Sequence, residues 1–323
     1  MSYRKSVVIR LASLALMLAL LAACGAPATQ PAGPVTLRIA VLPVIDALPM
    51  YVAQQEGLFE QQSVQVEFLP VQSAPERDQI VAAGQADGMV NELLSTMFYN
   101  KDSVRVQTIR YAHAATPQTH LFSILAAGNS DINTVTDLKN VEIGVSQGTV
   151  IEYLTDRLLE AEGLSPQEIT NIAVPGISDR MALLGSGELK AAMLPEPLTS
   201  VAVLQGARVV IDDSAHPQYS FSTLSFRKEV LDQNPQAIRG FLSAVEEAVN
   251  LINQEPAKWK TILAERELIP PPVLESFQVP SFVSAGVPTK EQWDDTLNWA
   301  KSKGLIDQDL SYNDSVTTQF LPK

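Results

Sequence analysis

The chain is predicted to be an α/β protein of two lobes, on three observations. From Val35 onward, short β-branched runs alternate with helix-period segments, which is the signature of parallel sheets covered by helices. That pattern is duplicated. The folded part of the 323 residues is also long for a single hydrophobic core.

The duplication can be read directly. The first copy runs LRIAVLP, YVAQQEGLF and VQVEFLPVQSAPERDQIVAAGQADGMVNELLS; the second runs VEIGVSQ, LTDRLLEAEGLS and TNIAVPGISDRMALLGSGELKAAMLPEPLTS. Both carry Glu-Gly-Leu at the end of the first helix (Glu56 to Leu58, Glu162 to Leu164), where glycine can take the left-handed conformation that stops a helix. Both place an arginine early in the second helix (Arg77, Arg180), a glycine at its end (Gly84, Gly187) and a glutamate just beyond the third strand (Glu92, Glu196). Each copy is a β-α-β-α-β unit. Ligands of open parallel sheets bind beyond the carboxyl ends of the strands, so two facing units make a cleft.

Before the first unit, Arg4, Lys5 and Arg10 precede an apolar run from Leu11 to Leu21, a secretory signal too short for a stable membrane span. Leu21-Ala22-Ala23-Cys24 resembles the lipobox of bacterial lipoproteins, whose cysteine is acylated and becomes the first mature residue. Cys24 is the one cysteine of the chain, which excludes a disulfide framework and a multi-cysteine metal site. Residues 1–23 are therefore read as signal peptide. Residues 24–34, rich in Pro and Ala, are read as lipidated cysteine and flexible tether, because they cannot bury enough surface to fold. Loss of the signal takes the net charge from −13 to −16. An acidic exported chain is a poor partner for nucleic acid or for an anionic membrane surface.

After the second unit, a further strand near Phe221, a long helix from Pro235 to Gln254 and helices around Trp259, Trp293 and Trp299 return to the first lobe and close it, the tryptophans reading as core. The division expected is lobe 1 at 35–122 and 221–323, and lobe 2 at 123–220.

Asp46-x-x-Pro49 with Val52-Ala53, Glu56-Gly57-Leu58-Phe59, Ala83-Gly84-Gln85-x-Asp87 and Leu138-Lys139-Asn140-Val141-x-Ile143-Gly144-Val145-Ser146 resemble substrate-binding proteins of ABC importers of the nitrate, sulfonate and thiamine-precursor group, often called SsuA-like or thiamine-pyrimidine-synthase-like. Asn234-Pro235 through Phe241, Ala248 and Asn253 to Pro256 extend the resemblance. It implies a type II periplasmic-binding-protein fold, two α/β lobes around a ligand cleft, crossed near His120 to Ala127 and Tyr219 to Thr223. It also implies an extracytoplasmic, lipid-anchored, monomeric protein that delivers a small molecule to a membrane permease with a separate ATPase.

Carried over loop by loop, the resemblance gives the ligand contacts as Asp46, Ala47, Ser73, Asn91, Glu92, His113, Gln147, Gly148, Thr149 and Glu196. Each has a plainer reading beside it. Asp46 stands where a helix cap would, and is expected both to cap and to face the cleft. Thr149-x-x-Glu152 fits a capping box, in a turn whose backbone donors can also bind an anion. His113 fits a hydrogen-bonded structural role. Arg77 and Arg180 read as lobe-surface or closure groups, since helix starts disfavour cations.

With three carboxylates (Asp46, Glu92, Glu196) facing the cleft, a small anion would meet an uncompensated like charge costing on the order of several kcal/mol. Carboxylates accept from N–H and O–H groups, which favours a nitrogen heterocycle of the kind bound by vitamin-binding relatives of this group: riboflavin first, a thiamine pyrimidine precursor second. The alternatives are a sulfonate- or nitrate-type anion, or a ligand-sensing lipoprotein. An enzyme is not expected. The chain has no Gly-x-Ser-x-Gly elbow, His-Glu-x-x-His helix or Walker loop, and His113, His120 and His216 lack metal-ligand spacing. No cofactor is expected.

Overall fold

The computed structural model describes residues 33–269 and 271–322; the signal, Cys24 and most of the tether lie outside the described residues. β1 (Val35–Val41), β2 (Val64–Pro70) and β3 (Gly88–Asn91) come from the first copy, and β4 (Val106–Ala114) and β5 (Phe122–Ala126) follow it. β6 (Glu142–Val145), β7 (Thr170–Ala173) and β8 (Ala191–Pro195) come from the second, followed by β9 (Arg208–Asp212) and β10 (Phe221–Arg227).

The strand orders are β2-β1-β3-β10-β4 and β7-β6-β8-β5-β9. In each sheet the first strand of a copy lies between the other two in parallel: Ile39 stands opposite Phe68 and Gly88, and Ile143 opposite Asn171 and Ala191. The duplication read from the sequence is thus a duplication of topology. Each sheet then takes an antiparallel strand from the other half, β10 between β3 and β4, and β5 between β8 and β9. The chain crosses at 115–121 and 213–220, a few residues ahead of the expected crossings, because the apolar and small residues Phe122 to Ala126 are already buried strand.

Helices α1 (Leu48–Gln55), α2 (Ala74–Ala82), α3 (Leu93–Tyr99), α4 (Val150–Ala161), α5 (Ile177–Ser186) and α6 (Leu198–Leu204) start just beyond the carboxyl ends of strands. Gly57 at φ 68° and Gly163 at φ 96° stop the helices they follow, in the left-handed region that glycine enters without steric cost. The long α7 (Pro235–Gln254) buries its apolar face, including Ile238, Phe241 and Val245, on α1 and the first sheet.

The C-terminal tryptophans part company. Trp259 joins the core of the first sheet. Trp293 and Trp299, on α8 (Lys290–Ser302), belong to a different core that combines Leu93 and Met97 of α3 with Leu154 and Leu158 of α4. This helix therefore spans both halves and does more than close the first lobe. Trp299 Nε1–H donates to Asp156 (2.9 Å), and Lys303 reaches both Asp156 (2.9 Å) and Glu152 (3.0 Å). At the crossings, the fully buried Asp213 accepts the N–H groups of Leu121 (2.9 Å) and Phe122 (3.1 Å) and the hydroxyl of Ser220, so one carboxylate ties both segments. Among the described residues no helix is long and apolar enough to cross a membrane.

Candidate functional site

A cavity lies between the two sheets, at the carboxyl ends of their parallel strands, where the topology places a ligand. Both sheets contribute to it. Leu42, Val44 and Asp46 follow β1, Ala74 and Arg77 follow β2, and Val90 to Glu92 end β3. From the other sheet come Ser146 and Thr149 to Ile151 after β6, Pro175, Ile177 and Arg180 after β7, and Pro195 at the end of β8; Phe122, Phe221 and Ser222 open the two crossing strands. The space open to water centres is about 50 Å³. One water needs roughly 10–15 Å³ on that measure, so the enclosed space has room for a few waters.

Four of the ten expected contact residues line it: Asp46, Asn91, Glu92 and Thr149. Asp46 makes no helix cap. It sits inside a 3₁₀ turn, Ile45–Ala47, that runs straight into α1, and its carboxylate accepts from Ser222 Oγ (2.8 Å). Asn91 is held within the first sheet, donating to Thr96 (3.1 Å) and accepting from Thr223 (2.9 Å). Thr149 caps α4 by accepting from Ile151 N–H (3.2 Å). Glu152 returns to Gly148 N–H (2.7 Å) and not to Thr149, so the expected capping box is displaced by one residue.

The other six lie elsewhere. Ala47 is packed into the first core. Ser73 caps α2 through Glu76 N–H (3.4 Å). Gln147 turns away to donate to the Asn171 carbonyl (3.2 Å), and Gly148 is used by Glu152. His113 is buried behind Asp46, stacked on Phe282 at 4.3 Å, with Nε2 at the Ser281 carbonyl (3.2 Å) and Nδ1 3.4 Å from Asp46. Glu196 faces a separate groove, where it accepts from His120 (2.7 Å) and Ser200 (3.1 Å); its main-chain carbonyl accepts Ile45 N–H (3.1 Å), joining the two halves.

The two arginines set aside as surface or closure groups are in the wall. Each is the fourth residue of its helix, Arg77 in α2 and Arg180 in α5, and both are buried. Their surroundings differ. Arg77 donates to Glu92 through Nη1 (3.0 Å) and Nη2 (3.4 Å) and to Asp78 through Nε (2.8 Å). Burial works against its charge, but Asp78 and Glu92 overcome it, and its pKa lies above the ordinary arginine value. Arg180 has only carbonyls: Met193 on Nε (3.0 Å), Val174 (2.7 Å) and Pro175 (3.1 Å) on Nη1. Its Nη2 has no partner among the described residues, and neither has the Ser146 hydroxyl in the same wall. Burial pushes Arg180 down to about 10, opposed by Asp179, which still leaves a cation at neutral pH.

The electrostatic premise drawn from the sequence is therefore corrected. Of the three carboxylates, Glu92 is neutralised by Arg77 and Glu196 is in another groove, while an unpaired cation is present. The repeat held the signal that could have found it, since both copies place arginine at the same helical position. The first turn of a helix disfavours positive charge, yet the Glu92 and Asp78 carboxylates hold Arg77, and the carbonyls of Met193, Val174 and Pro175 hold Arg180.

The chain matches the family model described as "NMT1/THI5 like" over residues 45–259. It is 28% identical over 167 residues to a protein of Escherichia coli (strain K12) described as binding aliphatic sulfonates, a match covering 52% of each chain. The chain thus spans about half the length of that curated relative. Its fold is that of the alkanesulfonate-binding protein SsuA from Xanthomonas axonopodis pv. citri (TM-score 0.75, 19% identity, 88% of this chain and 99% of that one). The periplasmic nitrate-binding protein NrtA from Synechocystis PCC 6803 is also similar (TM-score 0.69, 16% identity, 88% and 86%). This is the periplasmic-binding-protein architecture expected from the sequence, and with a family model matched over more than half of its length, the chain belongs to the NMT1/THI5 like family.

Proposed function

We propose that the protein is the extracytoplasmic solute-binding component of an ABC importer, tethered to the membrane through Cys24, and that its ligand is a small organic anion. The observation that carries the ligand class is Arg180. A buried guanidinium with an unpaired nitrogen is costly unless a counter-charge joins it, and an anion placed there would also meet the Ser146 hydroxyl and the N-terminal end of α4. The likeness to sulfonate- and nitrate-binding proteins supports the same class.

Riboflavin and a thiamine precursor lose most of their basis, since two of the three carboxylates invoked for them do not face the cavity as free charges: Glu92 is paired with Arg77 and Glu196 lies in another groove. The lobes, joined at two crossings, would close on the ligand and present it to the permease. Calorimetric titration of the chain starting after Cys24 with methanesulfonate, propane-1-sulfonate, nitrate and riboflavin tests the reading. An alkanesulfonate should bind, and Arg180→Met should weaken it 100-fold or more. Riboflavin binding without any anion binding would overturn it.

A further inference from the structure

Asp46 lines the cavity, and behind it stands His113, a buried titratable group that the proposed binding does not use. The His113 side chain is wholly enclosed, and that of Asp46 is 4% exposed. The two ring nitrogens face two oxygens. Nε2 is 3.2 Å from the Ser281 carbonyl, and Nδ1 is 3.4 Å from Asp46 Oδ1. A main-chain carbonyl can only accept, and so can an ionised carboxylate, whereas a neutral imidazole has one N–H and one lone pair. Either neutral tautomer therefore sets a lone pair against an oxygen inside the fold, where an unmet polar contact is costly. The protonated ring, with a donor on each nitrogen, meets both. Phe282 stacks on it, with ring centroids 4.3 Å and planes 20° apart, and an aromatic face attracts a cation. A further hydrogen bond to Asp46 comes from the neutral hydroxyl of Ser222 (2.8 Å), and neither Ser281 nor Phe282 carries a charge that would answer Asp46 in place of the ring.

We infer that His113 is held as an imidazolium and is the built-in counter-ion of Asp46, a positioning residue that acts on the ligand through that carboxylate. The fold brings the pair together from separate elements: Asp46 from the turn after β1, and His113 from β4, where it stands opposite Ser222 of β10. Glu92 and Asp46, the two carboxylates of the cavity wall, are then each answered by a cation, Arg77 and His113. The charge of Arg180 meets the ligand unopposed. This consequence for binding rests on the anion reading above; the charge state of the ring does not.

Nitrogen NMR of the chain starting after Cys24, with its three histidines labelled, reads the ring directly; His120→Gln and His216→Gln identify the other two. At pH 7 the wild-type His113 is expected to show two protonated nitrogens, and in Asp46→Asn one protonated and one bare. One bare nitrogen in the wild type overturns the inference, whatever the ligand, and this spectrum decides the matter even where Asp46→Asn folds poorly. Calorimetric titration with propane-1-sulfonate tests the action on the ligand. His113→Gln should weaken binding at least 10-fold by leaving the Asp46 charge uncovered beside the anion, and the double variant Asp46→Asn, His113→Gln should recover most of that loss. A double variant no better than the single one overturns the counter-ion role, since a merely structural histidine is not rescued by a second substitution. Failure of the wild type to bind the sulfonate overturns the anion reading and the action on the ligand with it, and leaves the imidazolium to stand or fall by the NMR.

Discussion

Arg77 and Glu92 form a fork-to-fork ion pair inside the cavity wall, with Nη1 3.0 Å from Oε2 and Nη2 3.4 Å from Oε1. The pair joins the second helix of the first copy to the end of its third strand, and turns what would be a negative wall into a neutral one. Its energetic value lies in what remains when one member goes. Glu92→Ala should destabilise by about 3–5 kcal/mol, because Arg77 is left buried with Asp78 alone. The double variant Arg77→Met, Glu92→Leu should recover most of that loss. Urea denaturation of the three proteins checks this; an additive double variant would show that the pair is no unit.

Arg180 behaves differently. Deleting it removes a cation that burial disfavours, about 3 kcal/mol by its shift from 12.5 to about 10, and also removes hydrogen bonds to three carbonyls of about 1 kcal/mol each. The two contributions oppose each other at similar size. Arg180→Met should therefore leave the stability of the ligand-free protein within about 1 kcal/mol while affinity collapses. A loss of stability as large as that of Glu92→Ala would assign Arg180 to the scaffold and not to the ligand.

Asp213 sets a pH dependence whose sign is opposite to that of an exposed, paired carboxylate. Burial raises its pKa from 3.8 to about 6 in the folded chain, against the hydrogen bonds from Ser220, Leu121 and Phe122. The folded state therefore holds this proton more tightly than the unfolded one. The stabilising contribution is complete below about pH 4 and is lost as pH rises through about 6, amounting to about 3 kcal/mol. The stability difference between wild type and Asp213→Asn, followed from pH 4 to pH 8, should shift by roughly that amount in favour of the variant. A flat difference would mean that Asp213 titrates normally. Since its carboxylate ties 121–122 to 220, the same titration should show in the crossings: slowed amide exchange at Leu121 and Phe122 is expected only where the carboxylate geometry is intact.

Trp299 ties the C-terminal helix to the second half through Asp156, in a core shared with α3. Trp299→Ala should cost about 3–5 kcal/mol from the cavity left behind, and Trp299→Phe about 1 kcal/mol for the hydrogen bond lost, since Lys303 and Asn171 keep Asp156 partnered. If α8 belonged only to the first half, Lys303→Met and Asp156→Asn would be additive. Direct contact at 2.9 Å predicts coupling in a double-mutant cycle.

Much of the fold was legible in order along the chain. Strand and helix alternation, the helix-stopping glycines at 57 and 163, and the two copies of one unit all arise from local periodicity and backbone chirality, which operate over a few residues. Because parallel strands place their carboxyl ends together, the loops that line the cavity could be located as well, and of the ten residues the resemblance offered from those loops and strand ends Asp46, Asn91, Glu92 and Thr149 line it.

What the sequence alone could not decide was charge compensation, which depends on neighbours across space. Glu92 meets Arg77 fifteen residues away, and Asp46 meets Ser222 at a separation of 176. Glu196, which the duplication equates with Glu92, turns instead to His120 in another groove. Arg180, the equivalent of Arg77, finds carbonyls where Arg77 finds carboxylates. Two copies with the same local pattern thus acquired opposite electrostatics, because a loop's residues fix which groups are offered to the cleft, while only the packing of the two sheets fixes which of them are already neutralised there.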